Sequence, residues 1–545
     1  MPVHFDAIKW YAQFGGTASA WMEITDDVIR SSNFPTYNYG ISGTGVNDRV
    51  ADTGVMSFQL DNSARNSRHV VGYYSQNNSN KRTGFNAGLP VKMTVTYDDI
   101  EKVKFTGYIP PTGITPSPFL LGERKTNITV LDFMEQTAIH DIDLPAYATD
   151  KTFSQLAALV FANMPIQPTA TSYGVCESTL PYLFDNLAGG KTKAMTELQK
   201  GALSEFGYCY QLGDGTFVTE GRNTRTDKTA TTKISKTKDD SGRLLLETGD
   251  YLLKEDGDKI ILDEAIDIDI SDYIRNPVVT VGENLATIVS ANGYPRKIDG
   301  SSDTVLFTLQ KAIKIEAGGT LASYRGRYSD PTGVYKSVNG IDMQTPIATT
   351  DYLAFANEDG TGTNYTANLT VTASYGTGEV DYTLVNGAGV DIWVTKLQAR
   401  GKGVYWDNPF SYLAYDSTAR AIYGSYRIDI DMKYQDDPTT VQQIVDIMLA
   451  RLKEPRTSLT SVSFFANRNM VTAGAYFYLD IGVRQRLTEP VNAIDEDYFI
   501  QGIRAVVYPG DIIEVTWTVK PALYDSYEPA IWDEDVWDGM KAWGA

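Results

Sequence analysis

Cysteine and histidine are scarce in this chain: Cys176 and Cys209 are its 2 cysteines, and His4, His69 and His140 its 3 histidines, among 545 residues. With no CxxC pair, neither a disulfide framework nor a thiolate zinc site can be assembled, and at most one isolated disulfide is open to it. The histidines lie far apart, and none has a second at the spacing that chelation on one helix or hairpin needs, so surface or core positions suit them. Long apolar runs are missing as well. The best, Leu156 to Met164, is stopped by Pro165 and falls well short of the ~18 residues of a bilayer span. The start MPVHFDAIKW has no basic stretch followed by an apolar core, so no secretion signal is read there and the Asn-x-Thr triplets at Asn127, Asn364 and Asn368 are expected to be unmodified. Positive charge is in deficit: 48 Lys plus Arg against 68 Asp plus Glu leave −20. A duplex is held by cationic surface that releases its counterions, so general nucleic-acid binding is excluded.

What is present has the balance of a folded protein, 42% hydrophobic and 21% charged, which rules out disordered, collagenous and coiled-coil chains. At ~150 residues per domain the length suggests about three to four domains. Aromatic residues (34 Tyr, 20 Phe, 8 Trp) and 46 Gly accompany alternating segments, a pattern that predicts a mainly β, multidomain chain.

The clearest hairpin runs from Val91 to Ile109. Val91, Met93, Val95 and Tyr97 share a face, Asp98 and Asp99 make the turn, and Val103, Phe105 and Gly107 continue the face. A strand at 127–132 is expected to complete a meander. The texture then changes: Thr152 to Met164 and Thr192 to Phe206 carry apolar residues at three- and four-residue spacing and read as helices, and a hairpin turns at Gly213-Asp214-Gly215. From Leu244 to Asp267 an eight-residue quasi-repeat, LLLETGDY, LLKEDGDK, IILDEAID, reads as small acidic hairpins. Its spacing matches neither an EF-hand loop nor a calcium-stacked β-roll, which favours a structural role over a metal site. The strongest helix is 438–453, with Val441, Ile444, Val445, Met448, Leu449 and Leu452 as its stripe and Asp437 as N-cap.

These readings divide the chain into a first small β-barrel (1–140), an α+β domain (141–240), an acidic hairpin insertion (241–270), a β connection (271–300), a β-sandwich insertion (301–400), a second β-barrel carrying helix 438–453 (401–525), and a Trp-rich acidic tail (526–545). The two ends echo each other. Gly88, the strand at 91–94, Phe105-Thr106-Gly107-Tyr108-Ile109, Gly122 and the strand at 128–130 are matched by Gly482, the strand at 484–488, Phe499-Ile500-Gln501-Gly502-Ile503, Gly510 and the strand at 513–516. A glycine inside a strand admits another backbone or the bend of a small barrel. Two similar barrels are the expectation, and two unrelated meanders of like composition the alternative.

On the runs ITDDVIRSS, DRVADTGVMSFQLDNSARNS, FTGYI, LSEFGYCYQLGDGTFVTEGR and KLQARGKGV, and on the closing YLDIGVRQRLTEP, YFIQGI and PGDIIEVTWTV, the chain resembles the tail hub, or baseplate hub, proteins of tailed bacteriophages. The resemblance is weakest over 240–270 and 301–390. It implies a non-enzymatic virion protein without catalytic residues, cofactor or metal. It also implies a homotrimer whose two barrels per chain present six near-equivalent modules to a sixfold tail tube. The implied partners are the tail tube or distal tail protein, the tape measure protein, and tip or fibre and receptor-binding proteins. The implied location is the distal end of the virion tail, after assembly in the host cytoplasm. DNA would pass as a non-adhering passenger, with part of the −20 facing the channel; solubility of the free subunit accounts for the acidity equally well.

Other chemistries lack their parts. GGKT at Gly189 to Thr192 has Asp185 where a phosphate loop needs its first glycine, and no HExxH or GxSxG is present. Glycoside hydrolysis needs only two carboxylates, so a carbohydrate-binding or carbohydrate-active all-β protein acting in receptor recognition is the alternative function. Trp532, Trp537 and Trp543 in the tail suit either a docking peptide for a neighbouring protein or packing onto their own domain.

Overall fold

Alternating burial builds one large sheet. In a computed structural model that describes all residues except 1, 32, 118–123, 186–190, 227, 229, 232, 237–263, 335–337, 526–528, 531–541 and 544–545, Pro90–Tyr97 and Ile100–Tyr108 pair antiparallel. Asp98 and Asp99 between them both have positive φ (54° and 62°), the two-residue turn whose twist matches a hairpin. Strand Lys125–Leu131 lies next to Ile100–Tyr108 in the sheet, the order expected of a meander. It pairs along its length with Asp52–Asp61 and meets the hairpin only at Tyr108↔Leu131. The short strand Ile114–Pro116 occupies the rest of that edge. Gly107 permits the crossing, since a Cβ there would lie 2.1 Å from the Leu131 carbonyl oxygen.

The echo of the two ends is present in the topology. Thr36–Gly40, Asp52–Asp61, Pro90–Tyr97, Ile100–Tyr108 and Lys125–Leu131 lie side by side in the order first, second, fifth, fourth, third. Arg275–Val281, Thr457–Phe465, Arg484–Glu489, Ile494–Tyr508 and Ile512–Pro521 repeat that order, and every pairing in both sets is antiparallel. The two sets are fused rather than separate. The first strand of the N-terminal set pairs with the fourth of the C-terminal set, making one 14-stranded sheet. Among the described residues, no strand pairing closes either set into a ring.

Three further units attach to this sheet. Helices Phe153–Ala162 and Ala194–Glu205 pack with the three-stranded sheet of Ala170–Tyr173, Thr216–Glu220 and Tyr208–Gln211. The first helix is capped by the reciprocal Thr152 and Gln155 bonds. Strand Ile392–Trp406 pairs with five others, and a second sheet of Thr320–Arg327, Leu369–Tyr375 and Glu379–Asn386 shares its core, which includes Leu306, Tyr382 and Val394. Helix Pro438–Leu452, capped by Asp437, buries Val441, Ile444, Val445, Met448 and Leu452 on the sheet of Ile288–Gly293, Phe410–Tyr415 and Arg427–Met432. The acidic quasi-repeat lies outside the described residues up to 263, and its end, Glu264–Asp267, pairs with Lys233–Lys236. No helix among the described residues is long and apolar enough to cross a membrane.

Candidate functional site

The seam where the two strand sets join is tightly constrained. Gly40 opposes Gly502, and the pairing runs on to Thr36↔Val506. At Gly40 φ is +104°, and a Cβ would meet the Gln501 carbonyl oxygen at 2.5 Å and the Gly502 Cα at 2.8 Å, so a larger residue would force the strands apart. The fourth strand of each set carries a bulge, at Lys104 in one and Gln501 in the other. Both side chains are buried.

The Lys104 bulge turns its side chain across the seam. Its Nζ donates to the carbonyls of Tyr476 (2.7 Å) and Phe477 (2.8 Å), near the end of helix Met470–Tyr478, where orphan carbonyls favour a cation. Half-buried Asp480 follows, accepting from Tyr39 Oη (2.9 Å) and the Ile481 amide (2.8 Å), and Tyr37 Oη meets Tyr476 Oη at 2.9 Å. Burial lowers the Lys104 ammonium to about 8, with the Asp480 charge acting the other way. Burial also raises the Asp480 carboxyl, against the pull of Lys104.

Two buried ion pairs fix the attached units. Glu220 binds Arg225 at 2.7 Å, with both side chains almost wholly excluded from water, and also Lys228. Burial would raise the Glu220 carboxyl, but the two cations outweigh it and hold it low. Arg225 stacks 3.6 Å over Tyr208, whose Oη accepts from Lys520 at 2.7 Å, and Lys228 donates to the Gly482 carbonyl at 3.0 Å. The α+β unit is thereby tied to the C-terminal strand set. Asp185 binds Arg296 at 2.6 Å and Trp406 Nε1 at 2.9 Å, and Arg325 grips Asp143 with two bonds of 3.0 and 2.9 Å, which seats the sandwich on the same unit.

Over the seam lies an open groove of about 580 Å³, lined among others by Asn33, Gln59, Asn127, Thr129, Arg504 and Tyr508 and by no carboxylate. Nucleophile chemistry has no footing in the cysteines. Both are free thiols, and burial raises each, which suppresses thiolate. His140 Nε2 lies 2.9 Å from the Asn163 carbonyl oxygen. Among the described residues no cluster of three or more His, Cys, Asp or Glu could hold a metal. What the arrangement does chemically is hold several units in one fixed geometry.

Trp532 and Trp537 lie outside the described residues, and Trp543 ends the two-residue strand Ala542–Trp543, parallel to Pro529–Ala530. Of GGKT, Gly189 and Gly190 lie outside as well, while Thr192 Oγ1 donates to buried Glu197 at 2.5 Å. Sequence reasoning passed over Lys104, Asp480, Glu220, Arg225 and Arg296. None carried a signal in the sequence: alternation places Lys104, between Val103 and Phe105, on the solvent face, and only the bulge turns it inward.

No family model and no curated protein matches this sequence. Among solved structures it is similar to the 43 kDa tail protein of prophage MuSo2 from Shewanella oneidensis, at 11% identity over 96% of this chain and 99% of that one, with a TM-score of 0.42. It is similar to the tail protein from Neisseria meningitidis MC58, at 10% identity over 96% and 99%, with a TM-score of 0.43. It is similar also to prophage tail protein gp18 from Listeria monocytogenes EGD-e, at 9% identity over 94% of each, with a TM-score of 0.39.

Proposed function

We propose that this chain is a structural, non-enzymatic protein of a bacteriophage tail: a homotrimeric hub at the distal end that joins the tail tube to tip or fibre proteins and bounds the channel for DNA. The observation that carries the reading is the repeated strand order, first-second-fifth-fourth-third, twice in one chain and fused at Gly40 and Gly502. Such a duplication lets three copies present six like modules, and the sequence motifs that resemble the hub family fall largely on those strands. The buried ion pairs suit a part that must keep its shape under load. Net charge of −20 suits a channel wall that repels a duplex carrying one charge per ~1.7 Å; a lumen lined mainly by Lys and Arg would count against that detail.

The mass of the purified chain, measured by native mass spectrometry and by imaging alone and on isolated tails, tests the reading. Threefold rings without glycan-cleaving activity are expected. A chain that remains monomeric on the tail, or that binds and turns over a glycan by itself, overturns it in favour of the carbohydrate alternative.

A further inference from the structure

The three-stranded sheet of Ile288–Gly293, Phe410–Tyr415 and Arg427–Met432 is covered by a helix on one face only. By register, Tyr415, Ile288 and Arg427 form a row on the other face, and Leu413, Ser290 and Asp429 the next. Tyr415 is 55% exposed and Leu413 47%, and the adjoining helix Ser417–Tyr423 and the turn after it add Ile422 (66%) and Tyr426 (52%). Large apolar side chains gathered in this way mark an interaction surface, whereas single ones need no explanation. The patch carries one unmatched cation: Arg420 lies 5.2 Å over Tyr415 and has no carboxylate partner among the described residues, whereas Arg427 in the same row pairs with Asp429 of the next at 2.7 Å.

The chain itself supplies a matching segment. Residues 526–545 hold Trp532, Trp537 and Trp543 with Ile531, Val536 and Met540, among five acidic residues and one lysine. They follow directly on the turn Ala522–Asp525. The turn Ala522–Asp525 seats Tyr524, 5% exposed, in the core of helix Pro438–Leu452. The Leu452 carbonyl accepts from the Ala286 amide at 2.9 Å; the next residue, Thr287, accepts from the Asp416 amide at 3.1 Å and donates to the Gly424 carbonyl at 2.7 Å. Asp416 and Gly424 bracket the exposed helix. Arg451, beside Leu452, donates to the Leu523 carbonyl, so the exit point lies at the same end of the helix as these contacts, and 20 extended residues, reaching ~70 Å at most, span the distance to the patch.

We propose that residues 526–545 dock on this open face of their own chain, tryptophans on the Leu413, Tyr415 and Tyr426 surface and a carboxylate toward Arg420. Reach and the unmatched charge of Arg420 both favour it, and the proposal stands apart from the hub reading. The test uses the full chain with p-benzoylphenylalanine in place of Trp537, irradiated and mapped by mass spectrometry, with a mixture of light- and heavy-isotope chains to tell bonds within a chain from bonds between chains. Cross-links within one chain to peptides spanning 410–427 are expected, and their yield should fall at least tenfold in the double variant Leu413→Asp, Tyr426→Asp and several-fold at 1 M salt in the unaltered surface. Cross-links that map elsewhere, that join only light to heavy chains, or that fail to form overturn the proposal. Because the mapping is read first on the chain without surface changes, poor folding of the double variant cannot decide it.

Discussion

Replacing Lys104 by Met probes the seam where it is most unusual. The side chains match in length, so packing is nearly kept, and what disappears is an ammonium donating to the Tyr476 and Phe477 carbonyls. Two charge-assisted bonds at about 1.5–3 kcal/mol each are lost. Against this, the variant is spared the cost of burying a charge, which the fall from 10.5 to about 8 sets at on the order of 3 kcal/mol at neutral pH. The net loss at pH 7 is therefore roughly 0–3 kcal/mol, a small effect for so central a residue. The pH dependence is the sharper measurement. A lysine whose folded pKa is depressed binds fewer protons in the native state between about 8 and 10.5, so its contribution to stability is present above that window and lost as pH falls through it. The natural protein should gain about 2–3 kcal/mol relative to Lys104→Met between pH 7 and pH 10. Urea unfolding of both proteins at the two pH values, followed by tryptophan emission, gives the difference free of the tyrosines and lysines they share. Parallel curves would mean that Lys104 is solvated in solution and does not bridge the two strand sets.

Two other buried charges make independent predictions. Asp132 caps helix Phe133–Ile139 through the Met134 amide at 3.0 Å, and burial raises its carboxyl from 3.8 to about 7. A raised acid stabilises below its unfolded pKa and loses that contribution as pH climbs through the folded one, so Asp132→Asn, which keeps the capping oxygen, should match the natural protein near pH 4 and exceed it at pH 8 by up to on the order of 4 kcal/mol, as read by unfolding midpoints; an unchanged gap across that range would refute it. Arg225→Met leaves buried Glu220 with Lys228 alone and should cost about 3–5 kcal/mol, while Arg225→Met with Glu220→Leu should recover most of it; a double variant no better than the single one would show that the pair is not the cause.

How much of this was legible in the sequence depended on range. Helix Pro438–Leu452 and its Asp437 cap follow from spacing alone, because a 3.6-residue stripe and a capping side chain are local facts. The Asp98-Asp99 hairpin is equally local. The mainly β character with several packed units follows from composition and alternation. Pairing over long separations was not legible. Thr36–Gly40 lies more than 450 residues from its partner strand, and nothing in either segment names the other. Bulges were hidden for a related reason: alternation puts Lys104 on the outer face, and one extra residue in the strand turns it inward. The meander expected at 127–132 is present in strand order but narrowed to the pair Tyr108↔Leu131, because Ile114–Pro116, too short to stand out, takes the rest of that edge.

The fused sheet also bears on what the duplication can and cannot do. In the C-terminal set the edge of the fourth strand is shared: Arg484–Glu489 covers its first part, and Thr36–Gly40 of the other set covers the part beyond Gly502. In the N-terminal set the corresponding edge beyond Gly107 is already taken by its own chain, since the Gly88 amide donates to the Ile109 carbonyl at 2.7 Å and the Ile109 amide to the Leu89 carbonyl at 3.0 Å. A neighbouring molecule cannot repeat there the strand pairing that joins the two sets within one chain. Pro110 and Pro111, which follow directly, remove the next two donors. Any ring of such chains would therefore alternate two unlike joints, a hydrogen-bonded seam inside each chain and a side-chain contact between chains. Its sixfold character would lie in the repeated strand order and not in its interfaces. The glycine pair at Gly40 and Gly502 then serves the folding of a single chain, and in such a ring the selection of copy number would fall to surfaces away from the seam.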